Sequence, residues 1–153
     1  MNTLSTREIS ITREVDATPE QLFNAWTNHL PEWWAPRPLT TPVSKIDLRP
    51  GGYLHTVMRT PDGQEYPTHG VFLEIVKNRR IVLTDAFLPG WEPSNEAFFT
   101  AIISFDPLAG SKTRYTARAL HWNEANCQKH KEMGFHEGWN ICLDQLIAIA
   151  VTL

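Results

Sequence analysis

Two residues in this chain of 153 have surroundings that suit proton chemistry. Glu74 follows Gly70 and Phe72 at alternate positions, so strict strand alternation puts all three on one face. A carboxylate turned toward an apolar interior has a raised pKa and can act as a general acid or base. The competing reading has Glu74 facing water or paired with Arg79 or Arg80. His121 closes the alternating row Tyr115, Ala117, Ala119. It is either a hydrogen-bonding or proton-carrying group for a ligand, or a satisfied histidine at the sheet edge. The remaining histidines are His29, His55, His69, His130 and His136. His130 and His136 stand about 120° apart around a helix, whereas a helical zinc pair is spaced four residues apart. His55 and His69 flank Asp62-Gly63 as diagonal neighbours, with no carboxylate to complete a triad. We therefore expect neither a metal nor a cofactor. A Gly-x-Ser-x-Gly elbow is absent, neither cysteine has an adjacent base, and Gly51-Gly52 reads as a turn rather than a phosphate loop.

Apolar recognition has richer material. The chain holds 6 Trp, 7 Phe and 3 Tyr. Aromatics at that density fill cores and also line ligand cavities. Trp33 and Trp34 are consecutive, so on a helix they point about 100° apart, one inward and one toward a cavity mouth. Trp91 sits in a Pro/Gly loop, either at a cavity mouth or packed down as a loop anchor. Trp139 lies on a buried helical stripe, as core or as ligand contact, and Met58 and Phe72 are strand residues that would floor a pocket. Ala117 and Ala119 on an inward face leave room above them. Either a helix comes close there, or a void remains.

The elements that must hold these groups follow from periodicity. Arg7 to Val15 alternates as a half-buried strand. Thr18-Pro19-Glu20-Gln21 opens a helix with a capping box, and a second short helix runs from Asn28 to Trp34. Strand and turn signals then fill Thr40 to Trp122, with Asp62-Gly63 the strongest hairpin signal. Arg114, Thr116 and Arg118 face water. Asn123 caps a final helix placed from Glu124 to Val151, with an apolar stripe at Phe135, Trp139, Cys142, Leu143, Leu146 and Ala150. Gly134 and Gly138 inside it serve a close approach or a bend. On one continuous helix Cys127 and Cys142 lie about 22 Å apart, too far for a disulfide. The result is an α+β chain: a curved antiparallel sheet of about six or seven strands on a long C-terminal helix, with two short helices after the first strand. We read residues 1–153 as a single domain.

Net charge is -3 and apolar residues make up 42% of the chain. That argues against a nucleic-acid partner, which wants a basic stripe. No apolar run reaches the length of a membrane span, and Met1 to Thr12 lacks the apolar core of a secretion signal. Reduced thiols and no signal suit the cytoplasm.

The order of several pieces resembles the SRPBCC, or START-like, superfamily with its helix-grip fold. These are Thr18 to Trp26, Trp33-Trp34-Ala35-Pro36, Arg49-Pro50-Gly51-Gly52, Met58 before Pro61-Asp62-Gly63, Gly70 to Ile75, and Glu137-Gly138-Trp139 with Leu143 and Leu146. Within it the chain is most similar to the branch named after the C-terminal domain of an activator of the heat-shock chaperone ATPase. The resemblance implies an apolar pocket between the long helix and the sheet. The expected function is binding of an apolar or aromatic small molecule, contacted by Trp33, Trp34, Met58, Phe72, Glu74, Trp91, Tyr115, Ala117, His121 and Trp139. A cyclase- or hydrolase-type enzyme using Glu74 or His121 is the alternative. A chaperone-binding module is favoured least, because a lone acidic domain lacks the activator's separate N-terminal domain and a basic docking face. A homodimer stays open.

Overall fold

A computed structural model describes residues 6–153. The expectation for the segment before Thr6 lies outside the described residues. Strand β1 (Glu8–Val15) leads into helix α1 (Pro19–Asn28) and the single turn α2 (Leu30–Trp33). Next come β2 (Thr40–Ile46), β3 (Tyr53–Arg59), β4 (Glu65–Val76) and β5 (Arg80–Thr84). A small hairpin, β6 (Phe87–Leu88) and β7 (Glu92–Pro93), precedes β8 (Phe99–Leu108) and β9 (Lys112–His121). The chain closes with α3 (Glu124–Glu132) and α4 (Phe135–Ala150). Seven strands form one antiparallel sheet in the order β1-β9-β8-β5-β4-β3-β2.

Local chemistry explains the elements that place the interior. The Thr18 hydroxyl accepts from Gln21 N at 3.1 Å while the Gln21 side chain accepts from Thr18 N at 2.9 Å, so the capping box closes with Pro19 at the first helical position. In β9, Tyr115, Ala117, Ala119 and His121 point into the molecule, and the register sets them opposite Phe105, Ile103, Ala101 and Phe99 of β8. The buried side of α4, built from Phe135, Leu143, Leu146 and Ala150, belongs to the same core. Gln145 fixes α4 to the segment after α2. Its amide donates to Trp33 O at 3.1 Å and Ala35 O at 2.8 Å, and its oxygen accepts from Arg37 N at 3.1 Å.

The structure corrects some expectations and decides between the alternatives left open in others. The final helix is two helices: Gly134, at φ +91°, separates Glu124–Glu132 from Phe135–Ala150, so the glycine breaks the segment and one rod from Glu124 to Val151 does not form. Cys127 and Cys142 are both free. In β4 a bulge lies between Phe72 and Glu74. The extra residue reverses parity, so Phe72 stays inside and Glu74 turns out to solvent, pairing with Arg80. His55 and His69 are directly opposed, not diagonal, and their rings stack with centroids 4.3 Å apart. Finally, the room left by the two alanines is filled. Ala117 is 1% exposed and Ala119 0%, so no water-sized void touches Ala119.

Candidate functional site

With the alanines sealed, the functional geometry gathers at the end of the inward row, where β9 hands over to α3. His121 is buried and uses both ring nitrogens. Its Nδ1 lies 2.8 Å from Arg7 O, and its Nε2 lies 2.8 Å from Nδ1 of His130 on α3. A carbonyl can only accept, so His121 Nδ1 carries a proton. In the neutral pair its Nε2 is then the acceptor, and His130 Nδ1 donates to it. That leaves His130 Nε2 with a free lone pair. It makes no hydrogen bond among the described residues and is not sealed from solvent.

Aromatic rings surround this pair. Phe98, Phe99, Phe135 and Trp139 stand 5.1, 4.9, 5.0 and 6.0 Å from the His130 ring, centroid to centroid. Removal from water, reinforced by the neighbouring His121, pushes His130 down to about 4, so it is neutral at neutral pH. Asp85 lies close enough to His121 for the two to interact through space. Burial raises its pKa, and one oxygen accepts from the Phe98 and Phe99 amides at 2.8 and 3.2 Å.

From this centre a seam runs along α4. Trp139 meets Phe99 at 6.1 Å, and one turn on, the Cys142 thiol donates to Trp34 O at 3.2 Å. Trp34, Leu83, Phe99, Trp139 and Cys142 all pack on the core yet stay half-exposed. Burial pushes the Cys142 thiol up to about 12, which makes it an apolar lining group rather than a nucleophile. On the same inward face, the hydroxyl of Thr56 is buried with no partner among the described residues. Two recesses of about 390 and 600 Å³ open elsewhere. The smaller reaches His121 from the β1 side, lined also by Arg7, Glu8, Thr100, Leu120 and Trp122.

The structure therefore brings His121 and Trp139 together and sets Tyr115 and Ala117 further along the same row. Trp33 is buried in a tryptophan cluster with Trp26, and Trp34 reaches the seam. Phe72 is core, and Met58 is half-buried on the inward face of β3. Two named residues lie elsewhere. Glu74 faces water beside Arg80, whose guanidinium holds its carboxyl below the usual range. Trp91, 50% exposed, meets Phe87 edge-to-face and lies against Gly51. The sequence reading missed His130, Phe98 and Phe99. His130 is visible in the sequence only as a helical residue, and Phe98 and Phe99 only as part of the strand-and-turn region from Thr40 to Trp122. The pattern that marks them together, a histidine nine positions after His121 across a helix cap, has meaning only once α3 folds back.

A family model described as activator of Hsp90 ATPase homolog 1-like protein matches residues 16–150. No curated protein matches the sequence. Among solved structures, a protein from Nitrosomonas europaea is 32% identical with a TM-score of 0.92, covering 98% of this chain and 97% of its own. One from Arthrobacter aurescens is 25% identical with a TM-score of 0.78, over 97% and 88% of the two chains. A Silicibacter pomeroyi protein of the same family name, 22% identical with a TM-score of 0.66 over 92% and 95%, shares the fold.

Proposed function

The chain belongs to the activator of Hsp90 ATPase homolog 1-like family, and from that premise we propose that it binds an apolar or aromatic small molecule between the sheet and α4. The site lies at the Phe99–Trp139–His130 end, not over Ala117 and Ala119. One observation carries this reading: four core-packed side chains on or touching α4, Trp34, Phe99, Trp139 and Cys142, stay partly exposed while Ala117 and Ala119 are sealed. Apolar surface left at an edge of the interior is what a ligand covers, at roughly 25 cal/mol per Å². Entry takes a shift of Trp139 or of α3, which is anchored by only Cys127 and His130 as buried residues.

Free cysteines favour a reducing compartment, and we place the protein in the cytoplasm. Among the described residues no helix is long and apolar enough to cross a membrane, and no group of three or more His, Cys, Asp or Glu is placed to share a metal ion. Proton chemistry, if any, falls to His121 and His130, because Glu74 is outside. A protein partner is the second reading, favoured by the family description and by Trp91, which is half-exposed on the β6–β7 hairpin.

The test is thermal unfolding with naphthalene at ten times its Kd. Binding to the folded chain alone raises Tm by about 3–5 °C. The rise is expected to vanish in Trp139→Glu and to survive in Trp91→Ala. An unchanged Tm, or a rise lost in Trp91→Ala, contradicts the proposal.

A further inference from the structure

We propose that His130 Nε2 reads the polar end of the ligand, selecting an aromatic molecule with a neutral hydrogen-bond donor, a phenol or aromatic alcohol, over an aromatic carboxylate. This rests on the binding reading above and names the ligand class for the same site.

The hydrogen-bond chain dictates the selection. Arg7 O accepts from His121 Nδ1, and His121 Nε2 accepts from His130 Nδ1, at 2.8 Å in each case. With both rings neutral every N–H of the pair is committed, and His130 Nε2, the ring nitrogen left without a hydrogen bond among the described residues, is an acceptor. Neither histidine forms an ion pair among the described residues, and Asp85, the carboxylate that acts on His121, is engaged by two backbone amides. A hydroxyl donates to such a nitrogen at no cost in charge. A carboxylate brings two further acceptors against it, inside a wall of Phe98, Phe99, Phe135 and Trp139 that offers no donor except the Trp139 indole. The four rings supply the flat apolar contact that an aromatic body wants. His121 is a positioning residue here: by accepting from His130 Nδ1 it keeps the proton off Nε2.

The experiment compares naphthalene, 2-naphthol and 2-naphthoate by tryptophan fluorescence at pH 7.5. It is joined to ¹⁵N spectra of the histidine rings in the wild-type protein without ligand. We expect 2-naphthol to bind about five- to tenfold tighter than naphthalene, the worth of one hydrogen bond. We expect 2-naphthoate to bind more weakly than either, and His130→Phe to level naphthol with naphthalene. The spectra are expected to show the His130 proton on Nδ1. Equal binding of naphthol and naphthalene, tightest binding of naphthoate, or a proton on His130 Nε2 would overturn the assignment while leaving the apolar site intact. If none of the three binds, the binding reading falls and the proposal with it, and the ring spectra still report separately whether Nε2 is an acceptor.

Discussion

His130 titrates well below its usual 6.5, and burial beside His121 is the reason. The unfolded chain takes up a proton near 6.5 that the folded chain refuses until about 4. Stability contributed by the neutral ring is therefore complete above about pH 6.5 and is lost as pH falls toward 4. The loss is at most about 3 kcal/mol. Asp85, raised by burial, acts in the opposite sense, so the clean measurement compares wild type with His130→Gln. Urea midpoints between pH 7 and 4.5 should fall more steeply in the wild type. A parallel pair of curves would show that His130 carries no such linkage. Glu74→Gln should leave both Tm and ligand binding unchanged, because the carboxylate faces solvent and pairs only with Arg80 at 2.5 Å. A loss of binding in that variant would restore the inward placement that strict alternation suggested. At this scale the sequence was legible where parity was undisturbed: Tyr115, Ala117, Ala119 and His121 do face inward. At Glu74 it left two readings, and the one that pairs Glu74 with Arg80 holds, because a bulge adds one residue without any change in composition.

The two glycines of the C-terminal segment make opposite predictions. Gly134 sits at φ +91° with nothing within 4 Å of an added Cβ, so Gly134→Ala meets backbone strain alone and should cost about 1 kcal/mol. Gly138 lies inside α4, where an added Cβ would meet only Pro36 Cγ at 4.0 Å. Gly138→Ala should therefore stabilise by about 0.5–1 kcal/mol. Denaturant unfolding of both variants checks the pair, and equal signs would remove the helix–turn–helix account of residues 124–150. Gln145→Leu tests the tie between α4 and the loop after α2. Three hydrogen bonds disappear and two carbonyls and an amide lose their partner, for about 2–4 kcal/mol. Strands, hairpins and the α1 cap were readable because each rests on a local signal: alternation, Asp62-Gly63, Thr18 to Gln21. The break at Gly134 was readable only as one of two uses for a helical glycine. Gln145 carries no local signal at all, since the carbonyls it serves lie more than a hundred residues away.

For the molecule as a whole, an antiparallel sheet of six or seven strands carrying a C-terminal helical segment was legible, because order and spacing of elements are a global property of the sequence. The filled interior beneath Ala117 and Ala119 was not. Small inward residues leave space, but whether a neighbour occupies it depends on how α4 tilts after Gly134. The same tilt carries Phe135 and Trp139 against His130 and so shifts the half-exposed apolar surface from the middle of the sheet to its end. The most direct test of a ligand site there is chemical-shift mapping of the aromatic and backbone resonances during a titration with naphthalene. The account predicts saturable shifts concentrated at Phe98, Phe99, His130 and Trp139, with Trp91 and Phe87 unmoved. Shifts confined to the Trp91 hairpin, or none anywhere, would contradict it.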